Sequence, residues 1–397
     1  MVPDDRDPEE EHVGRDGADR DDDTERGEPS GGRHVSILPW TTGRTRAILA
    51  RSLAPGGKML VYGALSSHRQ REITMKTQVP TILPGVERHV RAFLEELNAS
   101  GGKLEELAPK DARAVLVNAQ ASVKLDLPKC DVAEKVIHAG GQNIALHIVR
   151  PAGVKETLPV FMFFHGGGWV LGDFPTHERL VRDLVAGSGA AAVFVDYTPS
   201  PEAQYPAAIN QAYAATQWVA QNGREINVEG THLAVVGNSV GGNMAAVVSL
   251  MAKDKGTPAI KFQVLMWPVT DANFENTSFN LVPEGHFLSR DLMKWFWDNY
   301  TTDPRQRKEI YAAPLQATLR QLKGLPPALI QVAEFDVLRD EGEVYGRKLD
   351  AAGVDVTVTR YNGMIHDWGL LNAISQVSAT RSAIRQASAE IRSHLQS

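Results

Sequence analysis

The chain has 397 residues, 43% of them hydrophobic and 23% charged, which is ample apolar material for one large domain or two ordinary ones. No run approaches the ~18 consecutive apolar residues of a membrane-spanning helix, so stable membrane insertion is not expected. The N-terminus lacks the basic and apolar segments of a secretory signal, and the single cysteine, Cys130, excludes an internal disulfide and a zinc site built on cysteines. These features favour a cytoplasmic enzyme.

Acidic residues are concentrated at the N-terminus. Residues 1–34 contain 13 acidic residues and 5 arginines, a net charge of −8, whereas the whole chain carries −6, which leaves +2 on the remaining 363 residues. A body so close to neutral argues against a nucleic-acid partner. Because residues 1–34 hold only four apolar side chains, a disordered acidic tail is predicted over residues 1–40.

Two helices are predicted before the first strand. Apolar residues recur at helical spacing from Val86 to Leu97, and the segment Ala99–Gly102 ends that helix. A second helix is predicted over Asp111–Gln120. Because neither helix has a strand beside it in the sequence, residues 41–125 are expected to form an N-terminal segment whose helices cap a site built by later elements.

From residue 126 onward, apolar spacing typical of strands alternates with spacing typical of helices. Val132–His138 and Ile144–Arg150, joined through Gly140-Gly141, predict an antiparallel hairpin. Further strands are predicted at Val160–Phe164, Ala190–Val195, Leu233–Val236, Phe262–Met266, Ala328–Ala333 and Val354–Arg360. Helices are predicted at Thr176–Gly187, Ala207–Asn222, Gly242–Lys253, Asp340–Ala352 and Ile374–Leu395. Residues 126–397 are therefore predicted to form an α/β domain, with a mostly parallel central sheet and helices on both faces.

Residues 273–304 interrupt this alternation and carry four aromatic residues, Trp295, Phe296, Trp297 and Tyr300. The segment is either a cap insertion beside a strand end or a core helix, and its composition leaves both open. Ligands of mostly parallel sheets bind beyond the carboxyl ends of the strands. The candidate site is therefore sought where each strand stops.

The sequence His165-Gly166-Gly167-Gly168-Trp169 follows the strand Val160–Phe164. Three consecutive glycines inside a packed domain are entropically unfavourable. They are typical of a backbone that turns tightly and aims its N–H groups at a ligand. No Gly-Lys-Ser/Thr follows them, so phosphate binding is disfavoured.

The sequence Gly237-Asn238-Ser239-Val240-Gly241-Gly242 lies between the strand Leu233–Val236 and an alanine-rich helix. This is the Gly-x-Ser-x-Gly pattern in its strand–turn–helix setting, which predicts a strained turn with Ser239 exposed as a nucleophile. The glycine spacing of a dinucleotide-binding turn is absent. No cofactor is expected.

An acid and a base are predicted at the last two strand ends. Asp336 lies where one strand gives way to a loop, and His366 follows the final strand. The chain order Ser239, Asp336, His366 is the order of the α/β-hydrolase fold.

Neighbouring acidic residues and a second histidine are rivals for these two roles. Glu334 is expected inside the strand, and Asp340 and Glu341 in the first turn of the next helix. Asp367 is not expected to face Nδ1 of the adjacent His366. The rival base, His165, is expected to anchor the glycine loop.

The region from about Pro159 to Leu371 resembles the hormone-sensitive lipase family of serine esterases, with weaker similarity back to about residue 80. The resemblance is carried by His165–Trp169, Asp196–Glu202, Gly237–Gly242, Glu334–Glu341 and Ile365-His366. It implies a carboxylesterase of short- to medium-chain acyl esters, with the α/β-hydrolase fold and a Ser-His-Asp triad.

The same resemblance implies an oxyanion hole made by the backbone N–H groups of Gly167, Gly168 and Val240. The chain departs from the family pattern on both sides of the serine. Asn238 stands where Asp or Thr is usual, and Val240 where Ala is usual, so Val240 is expected to narrow the turn.

The sequence leaves several alternatives open. An amidase, lactonase or deacetylase would use the same triad, and a non-catalytic binding protein of this fold would lack the histidine that this chain retains at 366. A metal site is not expected because the histidines are scattered and no H-E-x-x-H occurs. The strand Val354–Arg360 either pairs with a second subunit at a sheet edge, giving a homodimer, or is covered by the C-terminal helix.

Overall fold

The computed structural model describes residues 80–396. The acidic tail predicted over residues 1–40, and residues 41–79 of the predicted N-terminal segment, lie outside the described residues.

A single eight-stranded sheet organises the described chain. Its strands are β1 (Cys130–Ala139), β2 (Gln142–Pro151), β3 (Leu158–Phe164), β4 (Ala191–Asp196), β5 (Val228–Asn238), β6 (Phe262–Met266), β7 (Ala328–Phe335) and β8 (Val356–Ile365). Their order is β1-β2-β4-β3-β5-β6-β7-β8, and only the β1–β2 and β2–β4 pairings are antiparallel. The predicted hairpin and the mostly parallel sheet are confirmed.

Helices connect the strands. They are α1 (Arg88–Ser100), α2 (Pro109–Ala121), α3 (Phe174–Ser188), α4 (Ala207–Asn222), α5 (Val240–Lys255), α6 (Thr277–Leu281), α7 (Arg290–Tyr300), α8 (Leu319–Leu322), α9 (Arg339–Ala351) and α10 (Ser378–Gln396). The C-terminal helix begins at Ser378 rather than at the predicted Ile374, because Asn372–Ile374 form a separate 3₁₀ turn. In the described part of the chain, no helix is long and apolar enough to cross a membrane.

The central strands read as continuous apolar runs because both of their faces are buried. In β3, Val160, Met162 and Phe164 pack into the core on one side of the sheet, whereas Phe161 and Phe163 pack into the core on the other side. This is the period-2 alternation of side chains along a strand. Helices cover both faces, so neither side of these strands has a polar stripe.

Parallel pairing brings the ends of distant strands to one edge of the sheet. Phe164 at the end of β3 pairs with Gly237 near the end of β5, and Phe335 at the end of β7 pairs with Ile365 at the end of β8. The glycine run, the serine turn, Asp336 and His366 each follow one of these ends.

Helix α2 docks beside this edge. The guanidinium of Arg113 on α2 donates to the backbone carbonyls of Val170 and Ser200, and the amide of Gln120 donates to the carbonyls of Thr176 and Leu370. Helix α2 is thus hydrogen-bonded to the loops that follow β3, β4 and β8 and to the first turn of α3. Strand β8 lies at one edge of the sheet.

Candidate active site

Three side chains from distant parts of the sequence meet at the carboxyl edge of the sheet. Nε2 of His366 lies 3.0 Å from Oγ of Ser239, and Nδ1 of the same ring lies 2.7 Å from Oδ2 of Asp336. All three side chains are buried. The serine, acid and base predicted from the sequence are therefore brought within hydrogen-bonding distance of one another.

Ser239 occupies the sharp turn between β5 and α5. Its φ of 55° is a strained conformation for a residue with a side chain, and its N–H donates to the carbonyl of Met266 at 2.9 Å. Gly241 makes the turn sterically feasible, because a Cβ on this residue would overlap the carbonyl of Phe164. The packed turn lifts the hydroxyl away from the sheet toward the histidine ring.

Asp336 is held from both sides of its carboxylate. While Oδ2 faces His366, Oδ1 accepts a hydrogen bond from the N–H of Leu338 at 2.9 Å. Both oxygens therefore have a partner, which fixes the orientation of the carboxylate.

The rival acids have other partners. Glu334, within β7, accepts from the N–H of Gly363, and Asp340 accepts from the N–H of Ser278. Glu341 is fully buried and accepts from the N–H of Thr270. None of these three carboxylates is paired with His366 in the hydrogen bonds of the described residues.

The environment of His366 favours its charged form. Burial lowers the pKa of the imidazole, but the carboxylates of Asp336 and Asp367 together outweigh burial and raise the pKa above 6.5. Oδ2 of Asp367 lies 3.9 Å from Nε2 of His366, on the side of the ring that faces Ser239. Asp367 does not touch Nδ1, in agreement with the prediction from the sequence.

The glycine loop after β3 turns through conformations that favour glycine. Gly167 has a φ of 103° and Gly168 a φ of 64°, and the ring of Phe296 lies directly against the Cα of Gly168. The indole of Trp169 stacks on Tyr300 at 3.9 Å between ring centroids. The aromatic face of α7 thus packs on the loop.

The packing of α7 is relevant to the two interpretations of residues 273–304, a cap insertion and a core helix. Phe296, Trp297 and Tyr300 are buried, as in a core helix. Their contacts with Gly168 and Trp169 also place the segment beside the glycine loop, as in a cap insertion.

His165 is a neutral anchor of the glycine loop. Its ring stacks on Tyr197 at 4.1 Å, and its Nδ1 lies 2.9 Å from the carbonyl of Gly166. Burial lowers its pKa to about 4. In the hydrogen bonds of the described residues, the ring does not reach Ser239, so His165 is not placed as the base.

Sequence reasoning missed the central position of Asp367. Its Oδ1 accepts from Nε1 of Trp267 at 2.6 Å and from Nδ2 of Asn238 at 3.2 Å. The only signal in the sequence was its place directly after His366, and a neighbour in the sequence does not reveal which way a buried side chain points.

The described residues 80–396 contain no group of three or more His, Cys, Asp or Glu side chains that could hold a metal ion. The chemistry at this edge of the sheet is that of a hydroxyl, an imidazole and a carboxylate. Such a set of groups activates a serine for attack on a carbonyl carbon.

Comparison with known proteins identifies a fold family and a class of enzyme. A family model described as alpha/beta hydrolase fold matches residues 161–370. The chain is 36% identical over 247 residues to Carboxylesterase NlhH of Mycobacterium tuberculosis, covering 61% of this chain and 76% of that protein. It is 35% identical over 271 residues to Carboxylic ester hydrolase LipN of the same organism, covering 67% of this chain and 71% of that protein.

A solved structure is more similar still. A thermostable esterase from Pseudomonas putida ECU1011 is 68% identical, with a TM-score of 0.79, and the match covers 80% of this chain and 100% of that one.

Proposed function

The chain belongs to the α/β-hydrolase family of carboxylesterases that resemble hormone-sensitive lipase and is a carboxylic ester hydrolase; from this premise we propose that Ser239 is its nucleophile, His366 its general base and Asp336 the acid that orients the base. The observation that carries the proposal is the continuous chain of contacts from Oγ of Ser239 through the imidazole to Oδ2 of Asp336.

The reaction proceeds in two halves. Nε2 of His366 takes the proton of Ser239 as Oγ attacks the ester carbonyl carbon, and the imidazolium then gives that proton to the leaving alcohol. Water activated by the same ring hydrolyses the acyl-enzyme and regenerates the serine. Asp336 keeps the proton of the neutral ring on Nδ1 and stabilises the imidazolium that forms in each half.

The tetrahedral intermediates carry a negative oxygen that needs fixed donors. We assign this role to the N–H groups of Gly167, Gly168 and Val240. Removing one such donor typically raises the barrier by about 3–4 kcal/mol. The tight packing of Phe296 against Gly168 supports a loop that is preorganised before substrate binds.

Short- to medium-chain acyl esters are the proposed substrates. Ser239 is only 4% exposed, and the aromatic face of α7 lies beside the glycine loop. A site so enclosed favours a small acyl group over an emulsified fat. Initial rates on p-nitrophenyl esters of increasing chain length, together with the matching anilides, test this: we expect a maximum at short chains and far slower amide cleavage.

The nucleophile is tested by Ser239→Ala, with Ser249→Ala as the matched control. Ser249 is also buried on α5, and its hydroxyl donates only within that helix, to the carbonyl of Ala245. Ser239→Ala is expected to unfold at an unchanged temperature but to lose ester hydrolysis and labelling by a fluorophosphonate, whereas Ser249→Ala keeps both. Undiminished hydrolysis by Ser239→Ala contradicts the assignment.

A further inference from the structure

The side chain of Asn238 is fully buried directly before Ser239, and it links three separate elements. Its Oδ1 accepts from the N–H of Gly166, at the start of the glycine loop, at 3.0 Å. Its Nδ2 lies 3.2 Å from Oδ1 of Asp367 and 3.4 Å from Nε2 of His177 on α3. The glycine loop, the loop that carries His366 and helix α3 therefore meet at one amide.

The chemistry of the partners fixes the orientation of this amide. A backbone N–H can only donate, so Gly166 requires the oxygen of Asn238, and the carboxylate of Asp367 requires its NH₂ group. Nδ1 of His177 lies 3.0 Å from Oγ1 of Thr176 and 3.2 Å from the carbonyl of Asp173, and because that hydroxyl donates to the same carbonyl, Nδ1 carries the ring proton. Nε2 of His177 is then an acceptor, and burial, which lowers the pKa of this ring well below 6.5, keeps it one.

The carboxylate of Asp367 connects this amide to the base. Its Oδ1 accepts hydrogen bonds from Nδ2 of Asn238 and Nε1 of Trp267, and its Oδ2 lies 3.9 Å from Nε2 of His366. A shift of this carboxylate would change both the position of the histidine loop and the charge that the imidazole experiences.

From these contacts we infer that Asn238 is a positioning residue, whose neutral amide fixes the positions of the glycine loop and of Asp367 relative to the serine turn. It touches no reacting atom. The inference rests on the proposed catalytic mechanism.

The decisive variant is Asn238→Asp, which keeps the shape of the side chain and replaces its NH₂ group with an acceptor. Two carboxylates would then face each other at position 238 and at Asp367, in a buried site that does not tolerate both charges. Among the described residues, the ionisable groups near this position are His177 on α3, whose ring centroid lies 5.4 Å from that of His165, and, beyond Asp367, His366 with its partner Asp336. At pH 8 we expect kcat to fall by about 10²-fold, the loss typical of a misplaced oxyanion donor, with little change in KM.

The double variant Asn238→Asp with Asp367→Asn removes the second carboxylate from the pair. Position 238 still accepts from Gly166, and the oxygen of the new amide at position 367 still accepts from Trp267, so the double variant differs from Asn238→Asp only in the lost charge at 367. We expect the double variant to recover at least about tenfold of the lost kcat, because the repulsion between two buried carboxylates is relieved at constant volume.

Asn243→Asp is the matched control. Asn243 is equally buried on α5, but its NH₂ group donates to the carbonyl of Ala312 and touches neither loop. Asp367→Asn should not rescue this variant. Full activity of Asn238→Asp, or equal rescue of both variants, overturns the inference.

If Asn238→Asp does not fold, a second variant still tests the inference. Asp367→Asn alone keeps both hydrogen bonds to its oxygen but removes the charge near His366, so the acid limb of the kcat/KM profile should move to lower pH. An unmoved limb overturns the link to the base. If instead the wild-type enzyme labels at no serine and hydrolyses no ester, the proposed mechanism fails rather than this inference.

Discussion

The surroundings of a single imidazole set the pH range in which the enzyme works. His366 must be neutral to accept the proton of Ser239, and the two carboxylates beside it raise its pKa above 6.5 in spite of its burial. Activity is therefore expected to fall as the pH drops through a value above 6.5. A kcat/KM profile on a small p-nitrophenyl ester measures this limb, and a midpoint below 6.5 would contradict the geometry described for Asp336 and Asp367.

Gly168 is a second residue at which the addition of one methyl group is expected to lower kcat. Its φ is 64°, and a Cβ would overlap the ring of Phe296, so Gly168→Ala should displace its N–H from the oxyanion position. We expect kcat to fall by up to about 10²-fold. The double variant with Phe296→Ala should regain part of that loss, because the space for the methyl group is restored.

Gly153→Ala is the control for backbone strain alone. Gly153 has a φ of 75°, and a Cβ there would have nothing within 4 Å. Its kcat should match that of the wild type. A comparable loss in both alanine variants would mean that backbone strain, and not the ring of Phe296, explains the effect at 168.

At the scale of elements, a buried ion pair joins α3 to the C-terminal part of the chain. Asp183 accepts from Arg179, one turn before it on α3, and from Arg381 on α10. Arg179 also donates to the carbonyls of Gly369 and Leu370, in the loop that follows His366. Through Arg179, the ion pair is thus hydrogen-bonded to the loop that carries His366.

Asp183→Ala should strongly destabilise the fold, because it leaves the buried guanidinium of Arg179 without its counter-charge. Breaking such a pair typically lowers the free energy of unfolding by about 3–5 kcal/mol. The control is Glu284→Ala, which removes a half-exposed pair with Lys103 and should change the free energy of unfolding by at most about 1 kcal/mol. Chemical denaturation measures both, and equal losses would show that burial does not decide the effect.

At the scale of the whole molecule, the balance of histidines makes stability depend on pH. His165, His177 and His286 are buried, and burial lowers the pKa of each in the folded state. Below about pH 6.5 the unfolded chain binds protons that these folded rings do not, so their stabilising contribution falls with the pH. His366, with its raised pKa, and Glu341, whose carboxyl pKa burial raises well above 4.5, contribute in the opposite direction.

We therefore expect the free energy of unfolding to decrease from pH 7.5 to pH 5.5. His286→Gln should reduce the dependence of the free energy of unfolding on pH, since it removes one neutral ring. In the folded protein, Nε2 of His286 accepts from the N–H of Leu83 and so links the N-terminal segment to the loop between α6 and α7. Denaturant titrations at several pH values measure the slope. A slope unaffected by the substitution would mean that this ring does not stay neutral in the folded state.

Features that depend on neighbours in the sequence were predictable. The alternation of apolar runs gave the strands and helices, because burial on one or two faces imposes a period that a few residues reveal. The candidate serine, acid and base were found because each lies directly after a strand, and parallel strands bring such ends together. The glycine loop was found in the same way, and the family resemblance added only its expected role as the oxyanion hole.

Contacts between residues far apart in the chain could not be predicted and became visible only in the three-dimensional structure. The link from Asn238 to Asp367 spans 129 positions, and the ring of Phe296 reaches Gly168 from a helix that the sequence assigned equally to a cap or to the core. Such contacts depend on strand register and on the direction of buried side chains. Both are set by how the whole core packs, which is why no local pattern contains them.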